Sequence, residues 1–94
     1  MTKETLLYAL EAERLKPGSD GSVTIPDDRD ATIMVAGSGE TIQVGKVAKI
    51  ELRDSVLGLE TAKGERYWFT YDLLLGLRLT TAQNAKEHAT GFSK

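Results

Sequence analysis

The stretch that decides the fold is VGKVAKIELRDSVLGLE, Val44–Glu60, in which a Gly-Lys pair interrupts residues that otherwise suit a β-strand. A phosphate-binding loop needs a Gly-rich loop that ends in Gly-Lys-Ser/Thr and leads into a helix. Here Val47 stands in the Ser/Thr position, and the residues after it are strand-like. We therefore interpret Gly45 as the point at which a long strand, Thr41–Leu52, bends sharply to close a small barrel.

The alternation of apolar residues along this strand supports a bend at the same place. Ile42 and Val44 occupy one face, and unbroken alternation would leave Val47 on the opposite face. One irregular residue at Gly45 or Lys46 removes this conflict, because a bulge shifts the side-chain alternation by one residue. The two halves of the strand then lie on different sides of a tight curve.

The residues before this strand predict a helix. Leu6, Ala9 and Leu10 follow the i, i+3, i+4 spacing of a helix that runs from about Lys3 to Leu15. Pro and Gly residues in Pro17–Gly21 end it. The apolar stripe is narrow, so we expect the helix to lie on the surface of a β domain.

The remaining residues up to Leu79 predict five strands joined by short turns. The predicted strands are Ala31–Ala36, Thr41–Leu52, Val56–Thr61, Arg66–Leu75 and Leu77–Leu79, with Gly76 as an interruption between the last two. Ser22–Ile25 is a candidate for a further short strand. The fourth strand is apolar on both faces, and we expect Trp68 to face outwards while Tyr67 and Phe69 face the core.

These elements predict one mainly β domain over residues 1–80, with an N-terminal α-helix followed by a five-stranded, strongly bent antiparallel small barrel. Residues 81–94 have almost no apolar content, and we expect a mobile polar tail there. The chain contains no Cys, which excludes disulfides and thiolate metal sites. No apolar run approaches the roughly 20 residues of a membrane span, so we expect a soluble, cytoplasmic protein.

Nothing in the sequence indicates catalysis, a cofactor or a metal. The acidic run Asp27–Asp30 lacks the ligand spacing of a calcium loop. The single histidine, His88, has no catalytic partners near it in the sequence. RDSVLG, Arg53–Gly58, nearly matches the cyclic-dinucleotide motif Asp-x-Ser-x-x-Gly, but Arg53 replaces its leading acid. We therefore expect no enzyme activity.

The net charge of −2 is not that of a general nucleic-acid binder, although several basic residues fall in the second half of the chain. Lys46, Lys49, Arg53 and Arg78 are candidates for contacts with the phosphates of a single strand. The alternative is that they are solvated charges at strand edges, which discourage aggregation. Both interpretations stay open on the sequence.

LLYALEAER, Leu6–Arg14, and GETIQVGKVAKIE, Gly39–Glu51, carry a resemblance to a known family. The first is similar to the helix that opens the bacterial Hfq-type RNA chaperones. The second resembles the first motif of the wider Sm-like family, a Gly turn followed by apolar-x-Gly-x-apolar-x-x-apolar-acid. The resemblance covers about Lys3–Leu15 and Ala31–Leu79, and other SH3-like barrels share much of it.

The resemblance implies a homo-oligomeric ring of about five to seven subunits. In such a ring the fourth strand of one subunit pairs with the fifth strand of the next, and single-stranded RNA binds around a central pore. Family members contact bases through two loops, which correspond here to Glu51–Ser55 and about Asp72–Gly76. With the basic residues above, the candidate RNA-binding residues are Lys46, Lys49, Glu51, Arg53, Asp54, Ser55, Gly76 and Arg78.

The sequence also departs from the family pattern. The Asn that usually follows the acidic position is absent, because Arg53, Asp54 and Ser55 stand in that loop. Leu75, rather than Arg or Lys, precedes Gly76, and the Hfq-type Lys-His pair is missing. These departures keep an alternative open, a structural or protein-interaction oligomer of the same fold that binds no RNA.

Overall fold

A computed structural model of the protein describes residues 1–81, in which one helix precedes seven β-strands. The helix, α1, is Lys3–Ala12. The strands are β1 Ser22–Thr24, β2 Arg29–Ala36, β3 Thr41–Val44, β4 Val47–Leu52, β5 Val56–Thr61, β6 Arg66–Thr70 and β7 Leu74–Thr81, with a short 3-10 helix, Tyr71–Leu73, between β6 and β7. Apart from Thr81, the tail predicted at 81–94 lies outside the described residues.

The strands form two antiparallel sheets, one with the order β1-β4-β5-β6 and the other with the order β3-β2-β7. The mainly β class with an N-terminal helix is confirmed. The predicted five strands become seven because β1 is added and the long bent strand is divided into two. Among the described residues the sheets do not close into a barrel.

The predicted bend lies between β3 and β4, where the chain passes from one sheet to the other. Its left-handed residue is Lys46, with a φ of 56°, and not Gly45. A β-carbon at Gly45 would meet no atom within 4 Å. The position of the bend at Gly45–Lys46 was therefore predictable, whereas the left-handed conformation of Lys46 was not.

Helix α1 ends earlier than predicted, in a Schellman motif. Arg14 has a φ of 63°, and its N–H donates to the carbonyl of Glu11 at 2.9 Å. The next residue, Leu15, donates to the carbonyl of Leu10 at 2.8 Å. Because Leu10 and Leu15 are both buried, this turn directs the chain back onto the core.

The predicted fourth strand, Arg66–Leu75, is wrong beyond Thr70. The chain turns there through Tyr71–Leu73, and Tyr71 is 8% exposed. The hydroxyl of Tyr71 donates to the carbonyl oxygen of Arg53 at 2.7 Å. If the strand continued past Thr70, the Tyr71 side chain could not reach this buried contact.

The predicted fifth strand, Leu77–Leu79, is too short. β7 pairs with β2 over nearly its whole length, from Arg29↔Thr81 to Val35↔Leu74. Gly76 lies within β7 opposite Met34, where the register shifts by a bulge, so it does not interrupt the strand.

One core lies between α1 and the two sheets. Its largest fully buried side chains are Leu6, Leu10, Val23, Ile33, Val35, Ile50, Leu57, Leu59 and Leu74. No helix in residues 1–81 has the length and apolar character needed to cross a membrane. Among the described strands, β6 and β7 each have a strand neighbour on one side only.

Candidate functional site

The turn between β4 and β5 and the 3-10 helix lie side by side. The N–H of Arg53 donates to the carbonyl of Val56 at 3.1 Å, which closes the turn. The hydroxyl of Tyr71 then joins the turn to the 3-10 helix through the Arg53 carbonyl. Tyr71 directly precedes the second of the two loops that the resemblance implies for RNA contacts, 51–55 and 72–76, so this contact holds the start of that loop against the first loop.

Glu51 is the buried centre of the charged residues beside this turn. It is 8% exposed, and its Oε1 accepts a hydrogen bond from Nη2 of Arg66 at 2.8 Å. Its Oε2 accepts from Nη2 of Arg53 at 3.2 Å. A guanidinium carries five N–H donors, and both arginine side chains are 53% exposed. Glu51 thus positions two cations that keep further donors for a ligand.

The same region also carries negative charge. Asp54 is fully exposed and lies 3.8 Å from Nζ of Lys3, an exposed ion pair of little energetic value. Asp72 accepts a hydrogen bond from the hydroxyl of Thr70. Burial, followed by the charge of Asp54, raises the pKa of Tyr71 above its ordinary value. The loop cluster is therefore mixed in charge rather than basic.

The other candidate residues are spread over the molecule. Ser55 is exposed in the β4–β5 turn, next to Asp54. Lys46 lies in the bend, and Lys49 lies half-buried on β4. Arg78 lies exposed on β7 in the other sheet. Only the residues from Glu51 to Ser55 form a continuous site, and the remaining ones do not join it.

Trp68 and Gly58 form a contact that was not predicted from the sequence. The two residues are opposite each other in the β5–β6 register. A β-carbon at Gly58 would lie 2.7 Å from Cζ3 of Trp68, so the indole packs directly on the glycine backbone. Trp68 is 48% exposed, which agrees with the expected outward orientation.

Arg66 links this tryptophan to the buried carboxylate. Its guanidinium carbon lies 5.8 Å from the centre of the indole ring, within cation–π range. It also donates to Glu51, which is opposite Gly58 in the β4–β5 register. Glu51, Gly58 and Trp68 therefore form one row across three strands, on the outer face of the four-stranded sheet. A glycine inside an aliphatic strand was the only sequence signal for this packing.

A groove of about 510 Å³ lies between β3 and the β5–β6 hairpin. Its apolar wall includes Ile42 and the rings of Tyr67 and Phe69, which stack with centres 6.3 Å apart. Lys46 and Lys63 lie on its rim. Within residues 1–81 no group of three or more acidic or histidine side chains is placed to hold a metal ion.

Comparison of the chain with protein-family models, with curated proteins and with solved structures finds no match in any of the three.

Proposed function

We propose that the protein is a homo-oligomeric, ring-forming Sm-like protein that binds single-stranded RNA around a central pore. The observation that supports this proposal best is the 2.7 Å hydrogen bond from Tyr71 to the Arg53 carbonyl. It holds the residue that precedes the second loop implied for base contacts against the first loop. A binding surface made from two loops needs such a connection, because its groups must keep a common geometry.

The ring would form by pairing of β6 in one subunit with β7 of the next. Tyr67 and Phe69 on β6 lie opposite the buried Leu59 and Leu57, so both point to the core side. They remain partly exposed because β6 is an edge strand of its sheet.

The β7 edge has the same character. Leu77 and Leu79 lie opposite the fully buried Ile33 and Ala31, and they too are only partly buried. Pairing the two edges would cover these side chains and satisfy the backbone groups that face outwards. The two edges differ, so the contact is head-to-tail, and it closes into a ring when the rotation between subunits permits.

RNA binding would use the cations beside the loop cluster. Arg53 and Arg66 are held by Glu51 and remain half-exposed, so each can also bind a phosphate oxygen. Lys46, Lys49, Asp54, Ser55, Gly76 and Arg78 remain candidate contacts. In this account Glu51 orients the arginines, because both of its oxygens already accept hydrogen bonds.

The experiment is a titration of fluorescently labelled oligouridine with the protein, followed by anisotropy at several salt concentrations. Arg53→Ala should weaken binding and make the plot of log K against log salt less steep by about 0.7, the value for one phosphate contact on a single strand. Lys16→Ala, which removes an exposed cation outside the proposed site, is the matched control. Equal affinities for Arg53→Ala and the wild type would contradict the assignment.

One observation favours a second candidate, an oligomer with a structural or protein-binding role and no RNA. The loop cluster carries the exposed carboxylates of Asp54 and Asp72, which repel phosphate, and the whole chain has a net charge of −2. The same edge pairing would build this oligomer. An intact assembly that binds no labelled RNA at low salt would select this candidate.

A further inference from the structure

We propose that Trp68 is a stacking platform for one base of single-stranded RNA, on the outer face of the four-stranded sheet, with Arg66 and Arg53 beside the adjoining phosphate. This inference rests on the proposed RNA-binding function. It adds a base-binding position formed by the strands, outside the two loops.

The indole packs on Gly58 on one side, and its other side is half-exposed, with the guanidinium of Arg66 near it. Gly58 has no β-carbon, and any such atom would lie within 2.7–3.1 Å of three ring carbons of Trp68. The ring therefore packs closely against the β5 backbone, while 48% of the residue stays exposed. A flat, supported aromatic ring binds a base at low entropic cost, and stacking accepts any base because every base has a π-face.

The cations next to the ring suit the charge of a nucleotide. The guanidinium of Arg66 makes two contacts, with its carbon 5.8 Å from the ring centre and its Nη2 2.8 Å from Glu51, and both restrict its position. Glu51 also holds Arg53, at 3.2 Å. A base on Trp68 thus has two half-exposed guanidinium groups on the same side of the sheet, and guanidinium groups bind phosphate in a bidentate geometry.

A purely structural role is the competing explanation for Trp68. Aromatic residues often cover glycines in neighbouring strands and stabilise the sheet in doing so. That role requires an apolar side chain over Gly58, but it requires no accessible π-face. The two explanations therefore predict different effects on RNA affinity when an aliphatic group replaces the indole.

Trp68 is the single tryptophan of the chain, so intrinsic fluorescence reports on this position alone. The wild-type protein is titrated with unlabelled oligouridine and oligoadenosine, and tryptophan emission is recorded. Binding of the same oligonucleotides is measured in parallel by the anisotropy of an attached label. We expect quenching that saturates at the same RNA concentration as the anisotropy.

Variants then separate stacking from packing. Trp68→Leu keeps an apolar cover on Gly58 and should lower RNA affinity by about 5- to 150-fold, the usual range for one stacked base. Trp68→Phe keeps a π-face and should lose less RNA affinity than Trp68→Leu. Tyr8→Leu, which removes an aromatic residue that is 77% exposed on α1, should bind like the wild type. Thermal unfolding shows that each variant compared is folded.

Three outcomes are distinguishable. Saturating quenching together with a loss in Trp68→Leu supports the platform. RNA binding seen by anisotropy without quenching, and unchanged in Trp68→Leu, overturns the platform and leaves the proposed function in place. No RNA binding by either method overturns both.

Discussion

The hydroxyl of Tyr71 donates a 2.7 Å hydrogen bond to the carbonyl oxygen of Arg53, 18 residues earlier in the chain. Tyr71 is 8% exposed, so the bond lies at the edge of the core. It fixes the 3-10 helix against the β4–β5 turn. The Tyr71 hydroxyl therefore contributes to the relative position of the β4–β5 turn and the 3-10 helix in the proposed RNA site.

Removal of this hydroxyl should reduce stability. Tyr71→Phe leaves the buried ring in place but loses the hydrogen bond, and we expect the free energy of unfolding to fall by about 1 kcal/mol. Urea denaturation measures the change. Tyr67→Phe is the control, because the Tyr67 hydroxyl donates to the exposed Glu65. Its loss in the free energy of unfolding should be smaller. Equal losses in the two variants would show that the Arg53 contact adds nothing.

The stability of the protein should also fall at alkaline pH. Burial and the charge of Asp54 raise the pKa of Tyr71 above 10.0, so the folded state holds this proton more tightly than the unfolded state. The contribution is fully present below pH 10.0 and is lost as pH rises through the raised pKa. Denaturation midpoints should therefore decline less steeply above pH 10.0 in Tyr71→Phe than in the wild type. If the midpoints of Tyr71→Phe and the wild type declined equally steeply, deprotonation of Tyr71 would not be the cause of the decline.

Arg14→Gly should stabilise the protein. Arg14 has a φ of 63° at the end of α1, a conformation in which a β-carbon is strained. Glycine removes this strain, and we expect a gain of about 0.5–1 kcal/mol in the free energy of unfolding. Arg14→Ala keeps the β-carbon and serves as the matched control, which should show no comparable gain. If Arg14→Gly lowered the free energy of unfolding, the Arg14 side chain would stabilise the protein by more than the strained backbone destabilises it.

Glu51→Gln should destabilise the four-stranded sheet. The substitution keeps the shape of the side chain but removes the charge that binds Arg53 and Arg66. We expect a loss of about 1–2 kcal/mol, below the value for fully buried pairs because both arginines are half-exposed. Glu40→Gln, in the exposed β2–β3 turn, is the control. A loss no larger than that of Glu40→Gln would contradict the structural role of Glu51.

A charge on the β6 edge should prevent assembly. Tyr67 is 37% exposed on this edge, and Tyr67→Lys places an ammonium group where the neighbouring β7 would pack. We expect this variant to be a folded monomer. Tyr8→Lys makes the same exchange on α1 and should leave the assembly intact. Assembly that survives in Tyr67→Lys would exclude the β6–β7 contact.

Local features of the fold were predictable from the sequence. The strand Val56–Thr61 lies where the residues predict it, because β-prone runs act over a few residues. The bend near Gly45 was predictable because the apolar alternation changes there. Its left-handed conformation at Lys46 was not, since bulky residues are rarely found in that region.

Long-range contacts were not predictable. The turn at Tyr71–Leu73 interrupts a run of strongly β-prone residues, and the buried contact with Arg53 overrides the local preference. In the candidate site, Arg53 was identified from its loop, whereas Arg66 was not. Arg66 reaches Glu51 from another strand, and the register that brings them together cannot be read from a single sequence.

The native mass of the purified protein, measured by light scattering after gel filtration, is the most direct test of the proposed ring. The absorbance ratio of the peak at 260 and 280 nm, recorded together with the mass, detects bound nucleic acid. We predict an assembly of about five to seven chains that carries nucleic acid or takes up added RNA. A peak with the mass of a single 94-residue chain would contradict the ring and the pore that depends on it.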